Sequence, residues 1–383
     1  MIRYEPERLL FICNVLVYNN AEIHFRCFGG IIMGRLLYDE SNLPEIKSLK
    51  AVNYDEIDKS TVEPIKRVGV LTSGGDAPGM NAAIRSVVRA GINAGFEMYG
   101  VTRGYHGLWK GEIKQLDGRS VSETLQRGGT FLMTARSQTF MTDQGVLKGA
   151  RMMEAYELDA LIVIGGDGSY KGARALARIG MPVIGMPGTI DNDISSTEYT
   201  IGYDTAMNTA MQCIDKLRDT ASSHERCSVI EVMGRNAGWI ALNVGIATGA
   251  ESILIPEVPY DFNRDVLRVI LDGRNTGKKH YIVIVAEGIC KAEDIAKQIE
   301  EATGIEARPT ILGHLQRGGS PTLRDRTIAS LMGIKAIDCL VEKRFNRLIA
   351  MQHGEITDVD IELGLEMTKT ISPDVIANAK RLG

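Results

Sequence analysis

Val68-Gly-Val-Leu-Thr-Ser73 runs directly into Gly74-Gly75-Asp76, and Ala160-Leu-Ile-Val-Ile164 runs directly into Gly165-Gly166-Asp167. Each hydrophobic run ends in Gly-Gly-Asp, and a helical pattern follows each tripeptide. A parallel strand that ends in glycines lets the backbone N–H groups of the turn and of the next helix point at an anion, because no Cβ blocks its approach. Asp167 is then a hard oxygen ligand beside bound phosphates, of the kind that Mg²⁺ takes while keeping most of its waters. Each turn also has a plain reading, a glycine C-cap followed by an Asp N-cap in an ordinary α/β protein. Neither turn decides the matter alone.

The first turn, Gly74-Gly-Asp-Ala-Pro-Gly79-Met80-Asn81, carries the glycine spacing of a Walker loop but has Met-Asn where Lys-Ser/Thr should stand, which argues against a P-loop NTPase. The second, Gly166-Asp-Gly-Ser-Tyr-Lys-Gly172, places its last glycine one residue too late for the dinucleotide fingerprint. A third strand end breaks the tie. Val183-Ile-Gly-Met186 leads into Pro187-Gly-Thr-Ile-Asp191-Asn-Asp193, where two carboxylates are separated by one residue and, on an extended chain, leave the same side. A calcium loop would need Gly at its sixth position and Glu at its twelfth, where Ser196 and Gly202 stand. Two carboxylates near a phosphate-metal site can divide the work, one taking a proton from an attacking hydroxyl and the other orienting it. A solvated acidic turn is the alternative.

With 44% hydrophobic and 24% charged residues, the 383-residue chain is large enough for two cores. A formal net charge of −4 gives no electrostatic reason to expect nucleic acid or an anionic membrane as partner. The six cysteines are scattered without zinc spacing, as in a cytosolic enzyme with reduced thiols. The apolar run Leu9–Tyr18 is too short to span a bilayer. Ser41–Pro64 is polar and aperiodic, so residues 1–65 read as an extension that is disordered or not native, either translated upstream sequence or a dispensable tail. Beyond it, strand-like runs at Val68–Thr72, Val101–Arg103, Leu161–Ile164, Pro182–Met186, Ser228–Val232, Ser252–Ile255, Tyr281–Ala286 and Thr310–Gly313 alternate with helix-length segments. Runs hydrophobic on both faces predict parallel sheets covered on both sides, an α/β fold. Ser320-Pro321 reads as the start of a helix, with Ser as cap and Pro in the first turn.

Five stretches resemble the phosphofructokinase family and stand in the family's order, from about Lys66 to about Leu340. They are Leu71-Thr-Ser-Gly-Gly-Asp-Ala-Pro-Gly-Met-Asn-Ala-Ala-Ile-Arg85, Ile164-Gly-Gly-Asp-Gly-Ser169, Pro187-Gly-Thr-Ile-Asp-Asn-Asp193, Met233-Gly-Arg235 and Gly313-His-Leu-Gln-Arg-Gly-Gly-Ser-Pro321. The resemblance implies two doubly wound, mainly parallel-sheet domains with the active site in the cleft between them. The larger, ATP-binding domain is 66–202 plus 316–366; the smaller, sugar-phosphate domain is 203–315 plus 367–383. It also implies ATP-dependent phosphorylation of the 1-hydroxyl of fructose 6-phosphate, the committing step of glycolysis, with Mg²⁺, in a cytoplasmic, allosterically regulated homotetramer whose sites are shared between subunits.

Residue by residue, the resemblance makes Asp191 the general base, positioned by Asp193 and Thr189, with Arg136 and Arg235 stabilising charge and Asp167 holding the metal. Gly75, Tyr105, Arg136, Ser137, Gly166, Gly168 and Ser169 match nucleotide contacts. The sugar phosphate falls to Thr189, Ile190 and Asp191, to Met233, Gly234, Arg235 and Glu287, to His314, Leu315, Gln316 and Arg317, and to Arg226 and Arg308 reaching in from a neighbour. Arg85 and Arg89 lie four apart on one helix face, a like-charge pair that an anion would relieve. With Arg218, Gly249, Glu251, Lys278 and Lys279 they match the family's pocket for nucleoside diphosphate activation and phosphoenolpyruvate inhibition. Gly118 and Thr276 depart from that pocket's basic pattern, with Arg119 and Arg274 nearby. The resemblance also implies ATP over pyrophosphate as donor, because the family's pyrophosphate users typically carry Asp and Lys where this chain has the small Gly168 and Gly188. Other Gly-Gly-Asp kinases lack Met233–Arg235 and Gly313–Pro321, and a dead effector-binding subunit would lose Asp167 or Asp191.

Overall fold

The computed structural model describes residues 45–382. In chain order the elements are β1 (Arg67–Ser73), α1 (Met80–Asn93), β2 (Glu97–Val101), α2 (Gly104–Lys110), β3 (Ile113–Leu116), α3 (Asp143–Ala155), β4 (Ala160–Gly165), α4 (Asp167–Arg178) and β5 (Val183–Pro187). There follow α5 (Tyr203–His224), β6 (Cys227–Val232), α6 (Trp239–Thr248), β7 (Ser252–Leu254), α7 (Arg268–Asn275), β8 (Tyr281–Ala286), α8 (Ala292–Thr303) and β9 (Ala307–Ile311). The chain then returns through α9 (Leu323–Val341), β10 (Arg347–Gln352), β11 (Glu355–Asp360) and α10 (Ile361–Glu366), and crosses again to α11 (Pro373–Leu382).

Two sheets result, a seven-stranded one in the order β11-β10-β5-β4-β1-β2-β3 and a four-stranded one in the order β7-β8-β6-β9. The four-stranded sheet is wholly parallel, and the larger one is parallel except at its edges, where β3 and β11 pair antiparallel. β4 is buried along its whole length, as expected of a strand covered by helices on both faces. Three strands have no expected counterpart from the sequence: the short, largely polar edge strands β3 and β11, and β10, which lies between β11 and β5. β3 and β11 are only partly apolar, so alternation does not single them out, and the buried centre of β10, Leu348–Ala350, spans only three residues. The strand expected at Val101–Arg103 lies earlier, at Glu97–Val101, because Arg103 turns left-handed (φ 61°) to open α2. Helix α9 begins later than expected: Thr322 is its cap, accepting from the Asp325 N–H, whereas the Ser320 hydroxyl donates to the carbonyl of Gln126.

Residues 45–65 are packed on the body, which overturns their reading as a disordered lead. Ile46, Tyr54, Val62 and Ile65 are buried, and the Tyr54 ring meets Phe345 edge-on at 4.8 Å. Arg178 donates to the Lys47 carbonyl at 2.8 Å, Asn346 to that of Val52 at 3.0 Å, and Lys343 to that of Val62 at 2.6 Å. Arg347 pairs with Asp55 at 2.9 Å. The segment's polarity hid this, because four buried side chains among many charged ones leave no period. The run Leu9–Tyr18 lies outside the described residues.

Candidate active site

Register places the three turns singled out in the sequence side by side. Ser73 of β1 pairs with Gly165 of β4, and Gly165 pairs with Pro187 of β5. The turns therefore leave three adjacent strands at one level of the sheet. β1 leads to β2 on one side and β4 lies on the other, so the chain order reverses between β1 and β4, where open α/β sheets bind ligands.

The plain reading of the two Asp residues as helix caps does not hold. Helix α1 is capped by Gly79 and α4 by Gly166, neither with a side-chain cap bond, and Asp167 is the first residue inside α4. Its carboxylate is partly exposed and paired with Lys171 at 2.7 Å. Among the described residues no group of three or more His, Cys, Asp and Glu is placed to hold a metal. An accessible carboxylate at a helix start, in a phosphate cleft, fits an ion that takes one protein oxygen and fills its shell with water and phosphate.

The Pro187–Asp193 turn is not extended. Asn192 lies in the left-handed region at φ 51°, so the extended geometry from which a shared side was expected is absent, although Asp193 is near enough for its charge to act on Asp191. Asp191 is 7% exposed, and its Oδ1 is buried without a partner, which removes the solvated-turn alternative. Burial, together with the neighbouring Asp193, pushes the Asp191 carboxyl up to about 6, against the pull of Arg317 and a hydrogen bond from Thr189. The backbone N–H of Asp191 donates to Thr189 Oγ1 at 3.2 Å. Asp193 is also raised by burial, and Arg235 approaches it at 3.9 Å. Ile190 is fully buried, so its side chain belongs to the core and only its backbone can face a ligand.

Above the first turn, the Thr134 hydroxyl donates to the Gly74 carbonyl at 2.7 Å and the Thr72 hydroxyl to that of Met133 at 2.9 Å. These bonds hold exposed Arg136 and the adjacent Ser137 over the end of β1. Gly168 has nothing within 4 Å of an added Cβ and faces open space. Gly188 does not. A Cβ there meets Ile164 at 3.0 Å and Met80 at 3.1 Å, so its smallness serves core packing and, contrary to expectation, does not leave room for a nucleotide. Tyr105 is buried, stacked on Phe140 at 4.2 Å, with its hydroxyl donating to the Ser169 carbonyl at 2.6 Å. It braces the turn from behind, and Ser169 is likewise buried.

The second sheet offers a matching edge. Val232 and Ala286 are register partners, so Met233-Gly234-Arg235 and Glu287 leave β6 and β8 together. Glu287 Oε1 accepts from the backbone N–H of Arg235 at 2.7 Å and of Gly234 at 3.3 Å, holding Arg235 in a left-handed conformation. The short turn Gly313–Arg317 ties the sheets together: buried Gln316 accepts from the Met233 N–H at 2.8 Å, and Arg317 donates to the Asp76 carbonyl at 3.0 Å. His314 and Leu315 on that turn are exposed.

Arg226 and Arg308 lie elsewhere. Both pair with Glu306, and they sit where β6 and β9 begin, whereas Met233 follows the end of β6. A six-residue strand separates these ends by about 17–20 Å. The candidate effector residues also fall in two groups. Arg89 lines an open depression of about 530 Å³ with Asn93, Asp117, Gly118 and Arg119, with Arg85 one turn earlier on α1. Arg218 donates to the Thr248 carbonyl beside Gly249, Lys278 pairs with Glu251, and Lys279 pairs with Glu225 at 2.7 Å. Sequence reasoning passed over Asp325, fully buried, which accepts from the Tyr199 hydroxyl at 2.6 Å and the Gly202 and Thr205 N–H groups at 2.8 Å each. It pins the crossing into α5. Its only signal was an Asp three residues after Thr322.

Fold and cleft together define a two-sheet α/β protein whose glycine turns and buried carboxylate converge between the sheets. The sequence profile of the family described as phosphofructokinase matches residues 67–340. The chain is 52% identical to the ATP-dependent 6-phosphofructokinase of Clostridium botulinum (strain Loch Maree / Type A3), over 81% of this chain and 97% of that one. It is 51% identical to ATP-dependent 6-phosphofructokinase 1 of Clostridium perfringens (strain 13 / Type A), over 82% and 99%. The structure of phosphofructokinase from Saccharomyces cerevisiae superposes with a TM-score of 0.74 at 35% identity, covering 83% of this chain and 48% of the yeast chain. A pyrophosphate-dependent phosphofructokinase from Marinobacter aquaeolei shares the fold, with a TM-score of 0.73 at 20% identity. The chain belongs to the phosphofructokinase family. Among the described residues no helix is long and apolar enough to cross a membrane.

Proposed function

We propose that this chain transfers the γ-phosphoryl group of ATP to the 1-hydroxyl of fructose 6-phosphate, giving fructose 1,6-bisphosphate and ADP, the committing step of glycolysis. The observation that carries the reading is Asp191, a buried carboxylate with an unpartnered oxygen at the level of two phosphate-type glycine turns. As general base it takes the proton of the 1-hydroxyl as that oxygen bonds to the γ-phosphorus and the bond to the bridging oxygen of ADP breaks. With a carboxyl near 6, Asp191 is mostly ionised at neutral pH and close enough to it to accept a proton well. Asp193 and Thr189 position the base, and the Gly75 backbone, Arg136 and Arg235 stabilise the charge that gathers on the phosphoryl oxygens. Mg²⁺, held at Asp167, supplies charge neutralisation at the phosphates when bound.

The openness at Gly168 supports ATP as donor, as does identity above 50% to two ATP-dependent relatives. The distance of Arg226 and Arg308 from the cleft supports a homotetramer in which they serve a neighbouring subunit's sugar phosphate, with residues 66–202 plus 316–366 as the nucleotide unit and 203–315 plus 367–383 as the sugar unit. The depression at Arg89 supports an effector site for ADP or phosphoenolpyruvate, and the scattered thiols support a cytoplasmic location. A coupled assay of the purified full chain with fructose 6-phosphate, comparing ATP with pyrophosphate, tests the reading. Turnover with ATP alone is expected; turnover with pyrophosphate alone, or with neither, overturns it.

A further inference from the structure

After α10 the chain crosses to α11, which packs on α6, through the irregular segment 367–372. Lys369 stands on that crossing. Its Nζ donates to the Asn192 carbonyl at 2.8 Å, reaches the Glu198 carbonyl at 3.5 Å, and lies 5.0 Å from the centre of the Trp239 ring at the start of α6. One ammonium therefore touches the Asp191–Asp193 turn of the larger sheet and a helix of the smaller one.

Asn192 is the residue between the two carboxylates. It is 3% exposed and left-handed, a conformation that costs Asn less than most side chains and that contacts to its backbone make permanent. The peptide that joins Asn192 to Asp193 sets the relative direction of the two Asp side chains. A hydrogen bond to the Asn192 carbonyl fixes the plane of that peptide.

We propose that Lys369 is a positioning residue for the phosphoryl transfer, holding the left-handed turn that aims Asp191 and Asp193 into the cleft and tying that turn to Trp239 across it. The inference rests on the reading of Asp191 as general base. The groups facing Lys369 are Asp193 and Glu198, both of which favour its charged form, and the apolar ring of Trp239. Burial draws the amine down to about 8, so at neutral pH it remains mostly charged and a full donor.

The test compares the full-length wild type with Lys369→Met and Lys369→Arg. Misplacing a reacting group by about 1 Å can cost about 10²-fold in rate, so Lys369→Met is expected to lower kcat at least about 10-fold while the KM for ATP and the Tm stay near wild type. Lys369→Arg, which keeps a cationic donor, is expected to recover most of the rate. Wild-type kcat in Lys369→Met overturns the proposal and leaves the base assignment standing. Equal losses in both variants with a lowered Tm also overturn it, because Lys369 is then structural only. A wild-type protein that transfers no phosphate to fructose 6-phosphate overturns the underlying reading and this inference with it.

Discussion

The guanidinium of Arg317 lies against Gly75 and donates to the Asp76 carbonyl at 3.0 Å, so a Cβ on Gly75 would occupy the place of that guanidinium. Gly75 does not have a positive φ, so alanine is conformationally acceptable there, and the obstructed group is the far end of a flexible side chain. Gly75→Ala should therefore change stability by less than about 1 kcal/mol while displacing Arg317 and narrowing the phosphate approach. A fall in kcat of about 10²-fold is expected, on the scale of losing one preorganised donor; steady-state kinetics beside a melting curve check it.

Asp191→Asn should lower kcat at least about 10²-fold with a smaller change in sugar KM. Its folded carboxyl is raised to about 6 from the ordinary 3.8, so the folded state holds the proton more tightly than the unfolded one. Stability from this group is present below pH 3.8 and is lost as pH rises through about 6. At neutral pH the ionised carboxylate therefore destabilises the fold, by up to about 3 kcal/mol for a shift of this size. Asp191→Asn should melt higher than wild type at pH 7 and not at pH 3, as calorimetry at the two pH values would show. In the wild type, kcat/KM should rise with pH through about 6 as the base of the free enzyme ionises.

The distance between the Arg226–Glu306–Arg308 cluster and the cleft predicts complementation between inactive chains. Asp191→Ala and Arg308→Ala, each inactive alone, should recover part of the wild-type rate when mixed into hybrid oligomers, because some hybrids contain one intact composite site. Activity of tagged, purified hybrids checks this; no recovery would place the sugar site within one subunit.

Donor choice should respond at Gly168 and not at Gly188. Gly168→Asp puts a carboxylate into open space beside the second turn and should raise the KM for ATP with little change in Tm. Gly188→Lys instead drives a cation against Ile164 and Met80 and should lower the Tm by several degrees.

Removing residues 1–65 should destabilise the enzyme. The cut exposes the surfaces that Ile46, Tyr54, Val62 and Ile65 cover, each such side chain contributing about 1.5–3 kcal/mol when fully buried, before the ordering cost of the segment. It also strips Asp55 from Arg347. A Tm lowered by at least about 3 °C is expected in differential scanning calorimetry, with the catalytic turns intact.

The features legible along the chain are local. Glycine at 74, 75, 165 and 166, the paired Asp191 and Asp193, and the hydrophobic runs of β4 and β8 are legible because each depends on backbone freedom, charge or burial of consecutive residues. The turns' role as a group needed register. Only the pairing of Ser73 with Gly165 and Gly165 with Pro187 sets three turns, spread over more than a hundred residues, at one sheet level. Tertiary structure also separated side chains that look alike in the sequence: Gly168 opens to solvent and Gly188 to the core, and Tyr105 backs a turn whose front was expected to hold it. Asp325, Lys369 and residues 45–65 had no motif because their meaning lies in partners far along the chain: 120 residues from Asp325 to Thr205, and 177 from Lys369 to Asn192. Sequence patterns record what neighbours along the chain require, and contacts of that span are decided by how the sheets and the crossing segments pack.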